Sequence, residues 1–231
     1  MLIYIAGYGR SGSTVLGAIL GSHPSIVGLG EITTMFGVLS QSKGHALNNC
    51  SCGKSFNDCD YWQNILESSE YNSIQQWANI HKTFQKVEDI RSLLILLRGG
   101  FSEHGNISHI GAAYADYNHT LLNSLVKRNQ QTIFVDSSKT VWNRIGRPYA
   151  LQELVGLDVK VIHLIRDGRA TMWSRAKGKN RTLAQKRPSI SILRGLLGAA
   201  LWSSTNLLTS VLLLRVPNEN VLRIHYEDLI D

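Results

Sequence analysis

An eight-residue loop near the start of the chain has the residue types and spacing of an anion-binding site. Its sequence is GYGRSGST at positions 7–14, directly after the apolar run LIYIA. Glycines allow the backbone to turn tightly and to direct several N–H groups at one point. Val15 begins a helical pattern of apolar residues, so a helix starting near Ser13 should add its positive dipole end there. An ordinary glycine turn before a helix is the alternative, and it accounts for fewer of these features.

The loop has the spacing of the nucleotide-binding P-loop, G-x-x-x-x-G-K-[ST], with Ser13 in place of the lysine. In kinases and ATPases that lysine reaches the β and γ phosphates, so its absence disfavours phosphoryl transfer. The cationic residue of this loop is Arg10. Its planar guanidinium suits a tetrahedral oxyanion such as phosphate or sulfate.

Two more polar strings follow predicted strands. DSSKT at 136–140 comes after the β-rich run 132–135, and RDGRA at 166–170 comes after the apolar run 160–165. The carboxyl ends of parallel strands form the ligand-binding edge of an open α/β sheet, so both strings are expected at that edge. The alternative for DSSKT is a helix start capped by one of its serines, which leaves the lysine unexplained.

Taken together, these strings resemble the sulfotransferases that use 3′-phosphoadenosine 5′-phosphosulfate (PAPS). GRSGST followed by SHP and GE is especially similar to the tyrosylprotein branch and its bacterial relatives, and RIHYEDL at 223–229 resembles the family's last core strand. The resemblance covers most of the chain. It implies transfer of a sulfuryl group from PAPS to a hydroxyl or an amine of a small molecule, peptide or saccharide. The other product would be 3′-phosphoadenosine 5′-phosphate.

The resemblance also assigns roles to individual residues. Glu31 matches the base that takes the acceptor proton, and Lys139 matches a lysine that stabilises the transition state. Arg166 and Ser174 match the two residues that bind the 3′-phosphate. Arg10 is expected to stabilise negative charge on the donor. Six loop residues are expected to hold the 5′-phosphosulfate, namely Gly9, Arg10, Ser11, Gly12, Ser13 and Thr14. The motif demands no metal, because a sulfuryl group carries less charge than a γ-phosphoryl group.

Two other functions remain open at this point. A P-loop kinase or other NTPase would need the missing lysine and usually magnesium. A nucleotide-binding protein without turnover is suggested by the end of the chain. Family members usually continue past the last strand with a segment that closes over the adenosine, whereas this sequence ends at Asp231. An abbreviated protein or a fragment is therefore expected.

The composition agrees with a small anionic ligand. The chain of 231 residues has a formal net charge of +7 and an isoelectric point of about 9.4. Nucleic acid is disfavoured as the partner, because no recognisable binding motif is present and aromatic residues make up only 8% of the chain. No signal peptide precedes the first predicted strand, so a cytoplasmic location is predicted.

The elements that position these residues alternate between strand and helix. Strands are predicted near residues 2, 26, 132, 160 and 221. This alternation predicts a three-layer α/β/α sandwich with a central parallel sheet, the P-loop NTPase-like fold of the sulfotransferases. The chain is predicted to be one domain, 1–231, with a helical, cysteine-containing insertion at about 40–130. Helices predicted at 71–98 and 112–128 are the expected place for an acceptor pocket.

The chain's three cysteines lie close together in the sequence, at Cys50, Cys52 and Cys59. Their spacing, C-x-C-x6-C, lacks the paired C-x-x-C units of a zinc ribbon, although His45 could be a fourth ligand. A reduced loop that packs with Tyr61 and Trp62 is favoured over a metal or redox role.

The longest apolar stretch, 190–216, contains an arginine and several serine, threonine and asparagine residues. Its uninterrupted apolar runs are far shorter than the roughly 20 residues of a membrane span. A buried core helix or helix pair is therefore predicted, without a membrane span. His163, inside the predicted strand at 160–165, is expected to be a core histidine rather than a catalytic residue.

Overall fold

The computed structural model describes residues 1–39, 50, 52–67, 74–176 and 192–229. In this part of the chain, five parallel strands form one sheet: β1 (Leu2–Ala6), β2 (Ile26–Gly30), β3 (Ile133–Asp136), β4 (Val159–Ile165) and β5 (Val221–His225). Their spatial order is β2-β3-β1-β4-β5. The strands begin where the sequence predicts them, and the predicted α/β fold with a central parallel sheet is confirmed.

Helices connect the strands and cover both faces of the sheet. The described α-helices are α1 (Ser13–Gly21), α2 (Ile32–Leu39), α3 (Asp60–Glu67), α4 (Ile74–Glu88), α5 (Leu93–Leu97), α6 (Ser108–Asn129), α7 (Arg147–Glu153), α8 (Gly168–Ala176) and α9 (Ile192–Leu213). The helix predicted at 71–98 is divided between α4 and α5, and the helix predicted at 112–128 extends to 108–129 in α6.

Alternation of side chains along the strands produces two separate apolar cores, one on each face of the sheet. Leu2 and Tyr4 of β1 belong to the larger core, which also contains buried side chains of α3, α4, α6 and α7. Ile5 points to the other face, where it packs in a smaller core with Leu16 of α1 and Leu164 of β4. Helices on both faces make the first and third layers of the predicted sandwich.

The order of the strands places β1 at the point where the chain changes direction across the sheet. β1 pairs with β3 on one side and with β4 on the other, in parallel register. The loops after these three strands therefore leave the same edge of the sheet side by side. These loops contain the glycine loop, the DSSKT string and the RDGRA string, as expected for ligand binding at a topological switch point.

Helix α9 differs from the prediction of a buried core helix. Thr205, Asn206 and Thr209 are buried against the protein, whereas the leucines on the opposite side are exposed, with Leu214 just after the helix 76% exposed. Within the described residues, one helical stretch, Gly195–Leu213, is long and apolar enough to cross a membrane by length and composition alone, and 28% of that window is buried. The prediction that this helix is buried was therefore wrong for the side of α9 that carries the exposed leucines.

Hydrogen bonds explain why the polar side of α9 faces inward. The hydroxyl groups of Thr209 and Thr140 are 2.6 Å apart, and Asn206 Oδ1 lies 3.2 Å from Nε2 of His163. The polar groups therefore have partners inside the protein, which removes the cost of burying them. His163 is fully buried, and burial lowers its pKa, so its assignment as a core histidine is confirmed.

Candidate active site

The glycine loop is joined at its first residue to the segment that follows β3. Gly7 has a positive φ of 129°, and a Cβ atom there would lie 2.3 Å from the carbonyl oxygen of Leu164. The Gly7 amide donates a hydrogen bond to Thr140 Oγ1 at 2.9 Å, and the Thr140 amide donates to the Gly7 carbonyl at 3.2 Å. Only glycine fits this position, and the contact fixes the loop against the DSSKT segment.

Helix α1 begins at Ser13, as predicted, and its first turn has the features of an anion site. Gly12 occupies the N-cap position with φ 94°, and no described side chain caps the helix. The Val15 amide donates to the Gly12 carbonyl at 2.9 Å, which leaves the amides of Ser13 and Thr14 without an intrahelical acceptor, and the helix dipole places partial positive charge beside them. The buried hydroxyl of Ser11 has no hydrogen-bond partner among the described residues. An anionic oxygen would satisfy these donors.

The structure brings together Arg10, Arg166 and Ser174, which are far apart in the sequence. Arg10 Nε donates to Ser174 Oγ at 3.1 Å, and Arg10 Nη2 donates to the Ser174 carbonyl at 3.3 Å. Arg166 Nη1 donates to the Arg10 carbonyl at 3.1 Å. Arg166 lies just before α8 and Ser174 lies inside that helix, so their eight-residue separation is compatible with one shared site.

An aromatic ring orients Arg166. Its guanidinium carbon lies 4.4 Å from the centroid of the Tyr226 ring, and its buried Nε has no partner within the part of the chain that the structure describes. A Cβ atom on Gly12 would lie 2.3 Å from the same ring. Gly12 therefore gives Tyr226 the space to lie against the loop and to stack on Arg166.

The position of Arg10 differs in one respect from the sequence interpretation. Arg10 was expected to act at the 5′-phosphosulfate, but its guanidinium contacts Ser174, the residue expected at the 3′-phosphate. Its backbone has a positive φ of 73°, which directs the side chain out of the loop toward α8. In this arrangement the amides and the helix end carry the positive potential of the loop itself.

Glu31 and Lys139 form a second cluster. Lys139 Nζ makes an ion pair with Glu31 Oε1, and both side chains are partly exposed. Thr34 Oγ1 donates to the other carboxylate oxygen of Glu31 at 2.9 Å, and Arg144 Nη1 donates to Thr34 Oγ1 at 3.1 Å. The carboxylate is thus held on both oxygens. This pairing of the two predicted catalytic residues is a contact that spacing in the sequence does not reveal.

Backbone geometry holds Lys139 in place. Lys139 has a positive φ of 68°, which is unfavourable for a residue with a side chain. The hydroxyl of the buried Tyr4 donates to the Lys139 carbonyl at 2.5 Å. Strand β1 therefore stabilises the strained turn that carries the lysine.

A buried network of charged side chains, Arg147, Glu88 and Asp136, holds the start of the DSSKT segment. Arg147 of α7 donates from Nε to Asp136 at 3.2 Å and from Nη1 to Glu88 Oε1 at 2.5 Å. Tyr114 of α6 donates to the same Glu88 oxygen at 2.9 Å. Burial lowers the pKa of Arg147, but the Glu88 and Asp136 carboxylates outweigh this effect and hold its pKa well above the ordinary value.

Asp136 links this network by hydrogen bonds to the segments that contain Lys139 and Glu31. Its Oδ1 accepts hydrogen bonds from the amide, at 2.9 Å, and from the hydroxyl of Ser138, which precedes Lys139. The Ser138 hydroxyl in turn accepts from the Thr33 amide at 3.2 Å, two residues after Glu31. Sequence reasoning missed Arg147 and Glu88, since no motif links residues on α4 and α7 to a loop after β3.

Known families provide an independent comparison. The sequence profile described as Sulfotransferase family matches residues 3–231 of the chain. The chain belongs to this family. The resemblance drawn from the motifs is therefore confirmed, and membership of this sulfotransferase family supports sulfotransferase activity in general.

A solved structure is similar to this chain over nearly the whole length of the chain. It is the "Sulfotransferase Domain from the Curacin Biosynthetic Pathway", with 18% sequence identity and a TM-score of 0.48. The match covers 99% of this chain and 68% of that one. No curated protein matches the chain.

An open cavity of about 1040 Å³ reaches Glu31. Its wall is formed by α1, β2, the start of α2 and the cysteine-containing segment. The sequence predicts the acceptor pocket among the helices at 71–98 and 112–128. Among the described residues, those helices contribute no lining residue, and the end of α6 contributes Asn129 alone.

The cysteines converge beside this cavity. The Sγ atoms of Cys50, Cys52 and Cys59 all lie within 4.8 Å of one another, and no disulfide joins them in the described structure. His45, the fourth ligand considered from the sequence, lies outside the described residues.

Proposed function

We propose that the protein transfers a sulfuryl group from PAPS to a hydroxyl or an amine of an acceptor, and releases 3′-phosphoadenosine 5′-phosphate. One observation carries the proposal: the loops at the carboxyl edge of β1, β2, β3 and β4 assemble two clusters of the expected chemistry. Glu31 pairs with Lys139 in the first, and Arg10, Arg166 and Ser174 meet in the second. The first cluster suits proton transfer, and the second suits a phosphate dianion.

The unsatisfied donors of the site fit such a nucleotide. Buried polar atoms normally have partners, yet Ser11 Oγ and Arg166 Nε have none in the described part of the chain. The Ser11 hydroxyl and the first-turn amides of α1 would hold the 5′ end. Arg10, Arg166 and Ser174 would hold the 3′-phosphate. PAPS, when bound, supplies the sulfuryl group that is transferred.

The ion pair defines how Glu31 and Lys139 would work. The carboxylate of Glu31, held in the ion pair, is the group that accepts the proton from an acceptor hydroxyl. Thr34 keeps one carboxylate oxygen oriented while the other takes the proton. As Glu31 becomes neutral, the Lys139 ammonium is released to stabilise negative charge that develops on the sulfuryl group and its phosphate. Glu31→Gln should lower turnover by roughly 100- to 10,000-fold while nucleotide binding persists.

The cavity beside Glu31 is the proposed acceptor site. Its wall includes apolar side chains of Val27, Leu29, Met35 and Trp62, together with polar groups near Glu31. Pockets for small molecules combine apolar walls with a few polar groups in this way. An acceptor with an apolar body and one reactive hydroxyl would fit such a site.

Selectivity for a 3′-phosphate tests the proposal most directly. A charge-assisted hydrogen bond contributes roughly 1.5–3 kcal/mol, so adenosine 3′,5′-bisphosphate should bind at least about tenfold more tightly than AMP. Arg166→Ala should remove most of this difference and leave AMP binding almost unchanged. Arg169→Ala is the matched control, because Arg169 belongs to the same string but its exposed side chain pairs with Asp167.

Calorimetry with the two nucleotides and three proteins measures the selectivity, and labelled PAPS with a library of hydroxyl acceptors measures the transfer. Equal affinities of the unmodified protein for the bisphosphate and AMP would contradict the proposal. Selective nucleotide binding without transfer to any acceptor would indicate a binding protein instead of an enzyme.

A further inference from the structure

The three cysteine side chains have the mutual spacing of metal ligands. Cys52 Sγ and Cys59 Sγ lie 3.7 Å apart, and Cys50 Sγ is within 4.8 Å of both. Zn–S bonds of about 2.3 Å at tetrahedral angles give an S–S separation of about 3.8 Å. A disulfide would require about 2.0 Å and would join only two of the three sulfurs. All three converge on one point, which favours a shared ion over a pair.

The local backbone is shaped to bring these sulfurs together. The Cys50 amide donates to the Lys54 carbonyl at 2.9 Å, and the Gly53 amide donates to the Cys50 carbonyl at 2.9 Å. Gly53 has a positive φ of 89°, which closes this tight turn. Cys50 and Cys52 therefore project from a single turn toward Cys59.

Cys59 approaches the cluster from the start of α3. Its side chain is buried, and its Sγ lies 3.7 Å from that of the exposed Cys52. A bound divalent cation would hold the three sulfurs as thiolates, since a coordinating thiol is deprotonated.

We propose that Cys50, Cys52 and Cys59 bind one Zn²⁺ ion as thiolates, with an exchangeable fourth ligand such as water. Cys52 is exposed, so the ion can be reached from solvent. The three cysteines line the cavity that reaches Glu31, but the metal takes no part in the proposed sulfuryl transfer. The ion joins the turn that contains Gly53 to α3, whose Trp62 and Ile65 lie in the larger core. It therefore stabilises the wall of the cavity that reaches Glu31.

Metal analysis of the full chain purified under reducing conditions tests this site. We expect about one zinc per chain, and Co²⁺ substitution should produce thiolate-to-cobalt charge transfer and the visible bands of tetrahedral coordination. Cys50→Ser, Cys52→Ser and Cys59→Ser should each weaken zinc binding by at least about 100-fold, more than the loss of an outer-shell partner. The cobalt spectrum of the unmodified protein does not depend on whether any variant folds.

Ser55→Ala is the matched control. It removes the hydroxyl that accepts the Asp58 amide in the same segment, but it leaves every thiol in place. This variant should retain about one zinc. The proposal is overturned if the unmodified protein holds no zinc and shows no thiolate bands with cobalt, or if the cysteine variants bind zinc normally. A Cys52–Cys59 disulfide in the protein isolated without oxidants would overturn it as well.

Discussion

Replacing Arg147 with methionine should destabilise the protein by about 3–5 kcal/mol, the cost of removing one partner from a buried ion pair. The side chains of Arg147, Glu88 and Asp136 are only 4%, 1% and 0% exposed, so water does not screen their charges. Methionine fills a similar volume but leaves two carboxylates buried without their cation. The loss therefore comes from the unpaired charges rather than from a cavity.

Neutralising the carboxylates should reverse most of this loss. In the triple variant Glu88→Gln, Asp136→Asn, Arg147→Met, no charge remains in the network. The amide carbonyl introduced at position 88 can still accept from Tyr114, and the one introduced at position 136 can still accept from Ser138. Replacement of a whole buried ionic group by neutral side chains is often tolerated, whereas removal of one member is not.

Urea unfolding at neutral pH measures both effects, with the slope of the free energy against urea expected to stay constant. Arg91→Met is the control, because Arg91 pairs with Asp89 on the surface and should leave the unfolding midpoint unchanged. A loss below about 1 kcal/mol in Arg147→Met would refute the reasoning, since breaking a buried pair costs more. So would a triple variant as unstable as the single one.

Three further changes test other contacts. Gly12→Ala should weaken binding of adenosine 3′,5′-bisphosphate at least about tenfold in calorimetry. The new methyl group would meet the Tyr226 ring, and the φ of 94° strains any residue with a side chain. Unchanged affinity would contradict this, because it would show that the ring moves freely. Tyr4→Phe should lower the free energy of unfolding by about 1 kcal/mol and lower kcat in the transfer assay, because the Lys139 carbonyl loses its hydrogen bond. Unchanged stability and kcat would show that Tyr4 does not hold Lys139 in place. Burial and the nearby arginines lower the pKa of His81 to about 3, so the unfolded chain binds a proton below about pH 6.5 that the folded protein excludes. The unfolding free energy should therefore fall by about 2 kcal/mol between pH 7 and pH 5, and His81→Phe should remove that part of the pH dependence; parallel pH profiles would refute it.

Local patterns were sufficient to predict the parts of the site that lie within one segment. The glycine loop and the start of α1 at Ser13 follow from glycine spacing and helical periodicity, which are patterns among near neighbours in the sequence. The five strands were likewise visible as short apolar runs. The positions of Glu31, Lys139 and Arg166 at strand ends follow from the same alternation, because parallel strands must present their carboxyl ends at one edge.

The order of the strands and the pairing of side chains across that edge required the tertiary structure. Glu31 and Lys139 are 108 residues apart, and Arg10 and Ser174 are 164 residues apart. Nothing in local spacing specifies which of the loops meet. The first pair depends on the placement of β2 beside β3, and the second on the placement of β1 beside β4.

Burial is the other property that local patterns did not determine. The apolar side chains of α9 were expected in the core, but its threonines and asparagine face the protein because Thr140 and His163 supply hydrogen-bond partners there. Arg147 gave no signal in the sequence, because an arginine is buried only where carboxylates from distant elements surround it. By itself, the sequence determined the strands, the anion-binding loop and the family. The tertiary structure decided which charges are paired and which polar groups are buried, since both depend on partners that only folding brings within a few ångströms.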